Sequence, residues 1–117
     1  MQIQVNTDNH IDGSEQLTRE VQSVVARSLG RFGERITRVE VHLSDESSSA
    51  KSGNDDKRCA MEARLAGLKP MTASHHSASL DQALEGAADK LEKMLRRTLE
   101  RLDDAKGRIS HAGDQTI

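Results

Sequence analysis

Four basic side chains recur at intervals of three and four residues in the last third of the chain: Lys90, Lys93, Arg97 and Arg101. On a helix, which turns about 100° per residue, this spacing places all four on one flank. Four acidic residues of the same segment fall toward the other flank: Asp81, Glu85, Glu92 and Asp103. A helix with one basic flank can follow a phosphate backbone. An ordinary solvated helix with ion pairs along its length gives the same spacing, so the pattern alone leaves both interpretations open.

Arg27 and Arg31 lie at the end of an earlier predicted helix. We expect these two residues to extend the basic flank if both helices pack side by side on one face of a sheet. The candidate site for a polyanion is therefore the basic flank together with Arg27 and Arg31.

The cysteine and histidine residues do not form a predicted metal or catalytic centre. His75 and His76 are adjacent in a predicted strand, so their side chains point to opposite faces. Cys59 and His42 also fall on opposite faces, which leaves no set of three or four converging ligands. The alternation places Cys59 among core residues, where a small buried thiol is more common than a nucleophile. Gly-rich phosphate loops and hydrolase or metalloprotease motifs are absent, so we expect no enzymatic activity, no cofactor and no metal.

Length and composition exclude several classes of protein. A chain of 117 residues fits one domain. Its 17 Lys and Arg against 19 Asp and Glu give a formal net charge of -2, so binding to nucleic acid requires a segregated basic face. With Phe32 as the one aromatic residue, the chain lacks the stacking platforms of RNA-recognition motifs. A single cysteine, the lack of a long apolar stretch and a polar N-terminal segment predict a cytoplasmic protein that does not bind membranes.

Hydrophobic periodicity predicts six elements in the order β-α-β-β-β-α. Strands are predicted at about 1–7, 38–43, 58–65 and 71–77. Asp12 and Ser14 offer capping oxygens for a helix that ends near Leu29, and Ser79 with Gln82 forms a capping box for a second helix, which ends near Leu102. A polar segment from 44 to 56 is expected to be a mobile hairpin loop.

This order of elements predicts a two-layer α+β sandwich with a four-stranded mixed sheet. A helix between the first two strands requires a right-handed crossover and parallel pairing, whereas the later hairpins are antiparallel. Both helices should cover one sheet face and leave the other exposed to solvent. We expect the domain to span residues 1–102 and residues 103–117 to form a disordered polar tail.

The last predicted helix resembles that of the ribosome hibernation factors, the sigma-modulation family that includes hibernation-promoting factor and the ribosome-associated inhibitor. The similar segment begins at Leu80 and reads LDQALEGAADKLEKMLRR. Five positions match the family pattern of Asp-Lys-Leu followed by basic residues one turn apart: Asp89, Lys90, Leu91, Lys93 and Arg97. The resemblance covers about residues 1–102 and corresponds to the short form of the family.

The resemblance implies a fold like that of double-stranded-RNA-binding domains and a function in translation. A protein of this family binds the small ribosomal subunit in the channel of mRNA and tRNA, and silences translation in stationary or stressed cells. Basic helix side chains contact the rRNA backbone, which implies this role for Lys90, Lys93 and Arg97 directly. Arg27, Arg31 and Arg101 carry the same role by general position. The partners are then the small subunit and its rRNA, with no small-molecule substrate, and the protein is expected to be a monomer.

Two other functions are compatible with the same residues. A non-enzymatic protein-interaction module on this fold would use its exposed sheet face or basic flank to bind an acidic protein, for example a transcription regulator. An enzyme would have to depend on Cys59, His75 and His76. A pull-down from nuclease-treated lysate separates the first of these from an RNA-dependent partner.

Overall fold

The six predicted elements are all present, with one added helical turn. The structure, a computed structural model, describes residues 1–9, 11–46 and 56–115, and their side chains as far as Asp104. In chain order the elements are strand β1 (Gln2–Thr7), helix α1 (Glu15–Leu29), a 3-10 turn (Gly30–Phe32), strand β2 (Ile36–Asp45), strand β3 (Lys57–Leu65), strand β4 (Met71–Ser77) and helix α2 (Leu80–Gln115).

The four strands form one mixed sheet in the order β1-β2-β3-β4. Strand β1 pairs with β2 in parallel, so that Ile3 lies opposite Val39. Strands β2, β3 and β4 pair antiparallel, and Val39 also lies opposite Ala63. The structure thus confirms the predicted mixture of one parallel and two antiparallel pairings, with β1 and β4 at the edges.

The core lies between one sheet face and the two helices. Alternate strand residues such as Val41 and Met61 are fully buried, because a strand directs every second side chain to the same face. Helix α1 contributes Val21 and Val25 at a helical spacing of four, and α2 contributes buried residues that share its apolar stripe: Leu84, Ala87, Ala88, Leu91, Leu95 and Leu99. The predicted two-layer α+β sandwich is confirmed, and its other sheet face carries polar side chains.

Both helices begin with a serine cap. The Ser14 hydroxyl accepts a hydrogen bond from the Leu17 N–H at 3.1 Å, and the Ser79 hydroxyl accepts one from the Gln82 N–H at 3.1 Å. The predicted capping box is only half formed, because the Gln82 side chain accepts a hydrogen bond from the Ser77 hydroxyl at 2.8 Å. This contact ties the last residue of β4 to the first turn of α2.

Helix α2 extends to Gln115, beyond the predicted end of the domain at Leu102. Residues 103–115 contain no proline, and a helix that has been nucleated by a packed segment gains one backbone hydrogen bond for each residue added. The packed part ends earlier, because Leu99 is buried whereas Leu102 is 43% exposed. The apolar stripe therefore continues in the sequence past the last residue that the sheet can cover.

The hairpin between β2 and β3 is longer than predicted. Strand β2 runs into the polar segment as far as Asp45, β3 begins one residue earlier at Lys57, and the Glu46 N–H donates a hydrogen bond to the Asp56 carbonyl at 2.7 Å. Residues 47–55, which make up most of the predicted mobile loop, lie outside the described residues.

Candidate nucleic-acid interface

The basic flank of α2, formed by Lys90, Lys93, Arg97 and Arg101, begins beside the exposed edge of the sheet. Helix α2 packs over β3 and β4. The Lys90 ammonium donates a hydrogen bond to the Ser74 carbonyl of edge strand β4 at 3.0 Å. This contact ties the start of the basic flank to the edge of the sheet. It also fixes the Lys90 ammonium in place while other N–H groups of the same ammonium stay available.

The other members of the basic flank are exposed. Lys93 pairs with Asp89 at 3.1 Å across one helical turn, and both side chains are more than half exposed, so the pair contributes little to stability. The Arg101 side chain donates a hydrogen bond to the Arg97 carbonyl at 3.4 Å. Within the described residues, neither Arg97 nor Arg101 forms an ion pair with a carboxylate. Two guanidinium groups of this flank are thus available to an external anion.

The acidic flank of α2 faces α1. Three ion pairs join it to arginines at the end of α1 and just beyond: Arg27 with Glu85, Arg31 with Glu92 at 2.9 Å, and Arg35 with Asp103 at 2.9 Å. The three carboxylates of these pairs are therefore separated in space from the basic flank, as the spacing predicted. Carboxylates on one flank are matched by α1, and the cations on the other flank face outward.

The expectation that Arg27 and Arg31 extend the basic flank is wrong. The two helices do pack side by side, but α1 lies along the acidic flank, where opposite charges attract. Arg27 and Arg31 therefore lie across α2 from Lys90 and Arg97. A role for them in binding RNA stays a prediction.

Cys59 and the histidines occupy the faces that the alternation predicted. Cys59 is fully buried, and burial raises the pKa of its thiol to about 12, an effect that nearby Arg58 only partly opposes. His76 lies on the opposite face, where its Nε2 atom is 3.4 Å from the Glu46 carboxylate. His75 shares the inner face with Cys59 and is its partner in the β3–β4 register, a neighbour that the sequence analysis missed. Among the described residues, no three His, Cys, Asp or Glu side chains converge as metal ligands.

Arg35 and Arg96 were not among the predicted site residues, and both lie near the end of α1 on the side of α2 away from the basic flank. Arg35 follows Arg27 and Arg31 at the same spacing of four, which was a usable signal. With this spacing, each of the three arginines meets a carboxylate of the acidic flank, although α1 itself has already ended at Leu29. Arg96 gave no signal of its own, because the spacing of the basic flank selects its neighbour Arg97.

The fold and the charge pattern define a two-layer α+β protein with one charge-segregated helix packed on a mixed sheet. A family model described as sigma 54 modulation protein / S30EA ribosomal protein matches residues 3–103, and the chain belongs to this family. The family indicates a ribosome-associated protein, as the resemblance implied. Within the described residues, no helix is both long and apolar enough to cross a membrane.

Two solved structures share the fold. A ribosomal subunit interface protein from Coxiella burnetii superposes with a TM-score of 0.69 at 17% identity, covering 86% of this chain and 99% of that one. The N-terminal domain of Protein Y from Thermus thermophilus superposes with a TM-score of 0.66 at 21% identity, covering 84% of this chain and 99% of that one. A search among curated proteins gives no match.

Proposed function

We propose that this protein binds the small ribosomal subunit by laying the basic flank of α2 against the rRNA backbone, and that it inhibits translation while bound. Membership of the S30EA family supports the ribosome as the partner. The observation that carries the proposal is the separation of charge across α2. Lys90, Arg97 and Arg101 face away from the carboxylates that bind α1.

The ion pairs between α1 and α2 make this separation effective despite the net charge of -2. Glu85 and Glu92 already have arginine partners, so their negative charge is largely neutralised at short range. Repulsion between the protein and a polyanion is therefore weakest at the basic flank. A few phosphate contacts there release condensed counterions, which gives an affinity that falls steeply as salt rises.

Lys90 is the best-positioned phosphate ligand of the flank. A free lysine loses side-chain entropy when it binds a phosphate. The hydrogen bond to Ser74 already restricts the Lys90 side chain, so part of that loss occurs on folding. Lys90 is expected to mark one end of the contact, and Arg101 the other.

The test is co-sedimentation of the purified chain with small ribosomal subunits over a range of salt concentrations. An Arg97→Glu, Arg101→Glu variant should lose co-sedimentation, because it replaces two phosphate contacts with two repulsions. The matched control is an Arg19→Glu, Arg64→Glu variant, which changes the net charge equally at exposed positions on α1 and on the open sheet face. Circular dichroism checks that both variants stay folded.

Two results would reject the proposal. One is equal co-sedimentation of both variants, which would assign binding to another surface. The other is no co-sedimentation of the unaltered chain at low salt. A partner retained from nuclease-treated lysate would then favour the protein-interaction module.

A further inference from the structure

A cleft of about 250 Å³ lies between the 3-10 turn and α2, on the side of α2 away from the basic flank. Seven residues line it: Arg31, Phe32, Arg35, Arg96, Leu99, Glu100 and Asp103. Three of these seven side chains are arginines, two are carboxylates and two are apolar. A lining with this many charged groups and one small apolar surface favours a small charged ligand over an apolar one.

The apolar part of the cleft contains the one aromatic residue of the chain. Phe32 is half-buried, and its ring lies 4.7 Å from the Arg31 guanidinium carbon, which stands over the ring centre. Glu92 holds the same guanidinium in place at 2.9 Å. The result is a fixed planar group of the kind on which nucleobases stack.

The arginines of the cleft differ in their partners. Arg31 and Arg35 are matched by Glu92 and Asp103, each at 2.9 Å. Arg96 is half-buried and, within the described residues, makes no hydrogen bond or ion pair. A guanidinium that has lost part of its water without gaining an acceptor is unfavourable, and an anion in the cleft would relieve that cost.

We propose that this cleft binds one nucleotide, with its phosphate on Arg96 and its base against the Arg31–Phe32 pair. The volume lies just below the range of about 300 to 1,000 Å³ found for ligand pockets, which suits one nucleotide better than a larger molecule. The nucleotide can belong to a single-stranded RNA or be free in solution, since both present the same phosphate and base. With an RNA strand as the source, the proposal rests on the proposed function and adds a second contact across α2.

Glu100 on the rim of the cleft is the main opposing charge. It is exposed, so water weakens its repulsion of a phosphate but does not abolish it. A Glu100→Gln variant should therefore bind the nucleotide more tightly, by a factor of about two to five. Removal of the Arg96 charge should instead weaken nucleotide binding.

The test is an NMR titration of the full chain with three probes: adenosine 5′-monophosphate, adenosine, and an RNA pentamer of adenosines. Resonances of Phe32 and Leu99 should shift with the monophosphate, and adenosine should bind at least tenfold more weakly because it lacks the charged contact. An Arg96→Gln variant should lose about tenfold in affinity for the monophosphate. An Arg19→Gln variant should bind like the unaltered chain. Tighter binding of the pentamer than of the monophosphate identifies a strand as the source, whereas equal binding identifies a free nucleotide.

The proposal is overturned if the monophosphate leaves the Phe32 and Leu99 resonances unshifted, or if Arg96→Gln binds it equally well. Equal binding of adenosine would overturn the role of the phosphate. The Arg97→Glu, Arg101→Glu variant separates this proposal from the proposed function, because it should keep binding of the monophosphate while losing ribosomal subunits. Binding of the monophosphate and binding of ribosomal subunits are thus measured separately, so the failure of one proposal can be told from the failure of the other.

Discussion

The imidazole ring of His75 lies directly over Gly86, so that β4 and α2 touch where α2 has no side chain. A Cβ atom built on Gly86 would overlap the His75 ring. Gly86 lies inside a helix, where glycine costs up to about 1 kcal/mol relative to alanine. The close approach of β4 explains why glycine stands at this position.

A Gly86→Ala variant is expected to be less stable by about 1 to 2 kcal/mol. Overpacking costs about 1 to 3 kcal/mol, and the gain in helix propensity offsets part of it. Urea denaturation measures the change. In a His75→Ala background the same Gly86→Ala substitution should instead stabilise the fold, because the ring is gone and only the helix propensity remains. Equal effects in both backgrounds would contradict the contact.

The packed part of α2 ends at Leu99, and paired truncations on the same stripe test this boundary. Leu95 is fully buried, so Leu95→Ala should destabilise the fold by about 2 to 5 kcal/mol. Leu102→Ala should cost no more than about 0.5 kcal/mol, because its side chain is 43% exposed beyond the core. Thermal denaturation of both variants decides the matter, and a large loss for Leu102→Ala would place that residue in the core.

The fold could be predicted because its local signals agree with one another. Alternation in β1 to β4, serine caps on both helices and the crossover rule together allow few topologies. Even the contrast between His75 and His76 followed from the two-residue period of a strand. Signals of this kind depend only on neighbouring residues, so the sequence displays them directly.

The features that the sequence did not reveal depend on how elements meet. Whether Arg27 would extend the basic flank or bind Glu85 depends on which flank of α2 receives α1. The close approach of His75 to Gly86 depends on the position of β4 along α2. The exposure of Leu102 depends on where the sheet ends, which no periodicity within α2 records. The Arg96 cleft likewise forms only when the 3-10 turn meets α2.

A carboxyl pair at the α1–α2 contact should make stability depend on pH. A hydrogen bond to Asp81, then burial, then repulsion by Asp81 and Glu85 raise the pKa of Glu20 above its ordinary value. The folded state therefore holds this proton more tightly than the unfolded chain does. The resulting stabilisation is complete below the ordinary pKa and is lost as pH rises through the raised value.

A Glu20→Gln variant should remove this loss and be more stable than the unaltered chain at pH 7, with the difference shrinking toward pH 4. Glu15→Gln on the same helix is the control, because Glu15 pairs with exposed Arg19 and gains nothing from neutralisation. Urea midpoints measured from pH 4 to pH 8 supply the comparison. A constant offset between Glu20→Gln and the unaltered chain would argue against the carboxyl pair.

Cys59 should be chemically inert in the folded protein. Burial raises its pKa to about 12 from an ordinary value of 9.0, so almost no thiolate exists at pH 8. A thiol reagent at pH 8 should react only after denaturation. Because the unfolded chain ionises first, stability should fall as pH rises from about 9 toward 12. Rapid labelling of the native protein would contradict this burial.

The central claim, that the basic flank of α2 lies on rRNA, is tested most directly by site-specific photocrosslinking. Met94 lies between Lys93 and Arg97 and is 37% exposed, so a benzophenone amino acid in its place probes the flank and keeps every basic residue. The same amino acid in place of exposed Gln22 on α1 is the control. We predict crosslinks from position 94, and not from position 22, to the rRNA of the small subunit. Crosslinks from position 94 only to protein, or to rRNA from position 22 alone, would contradict the account.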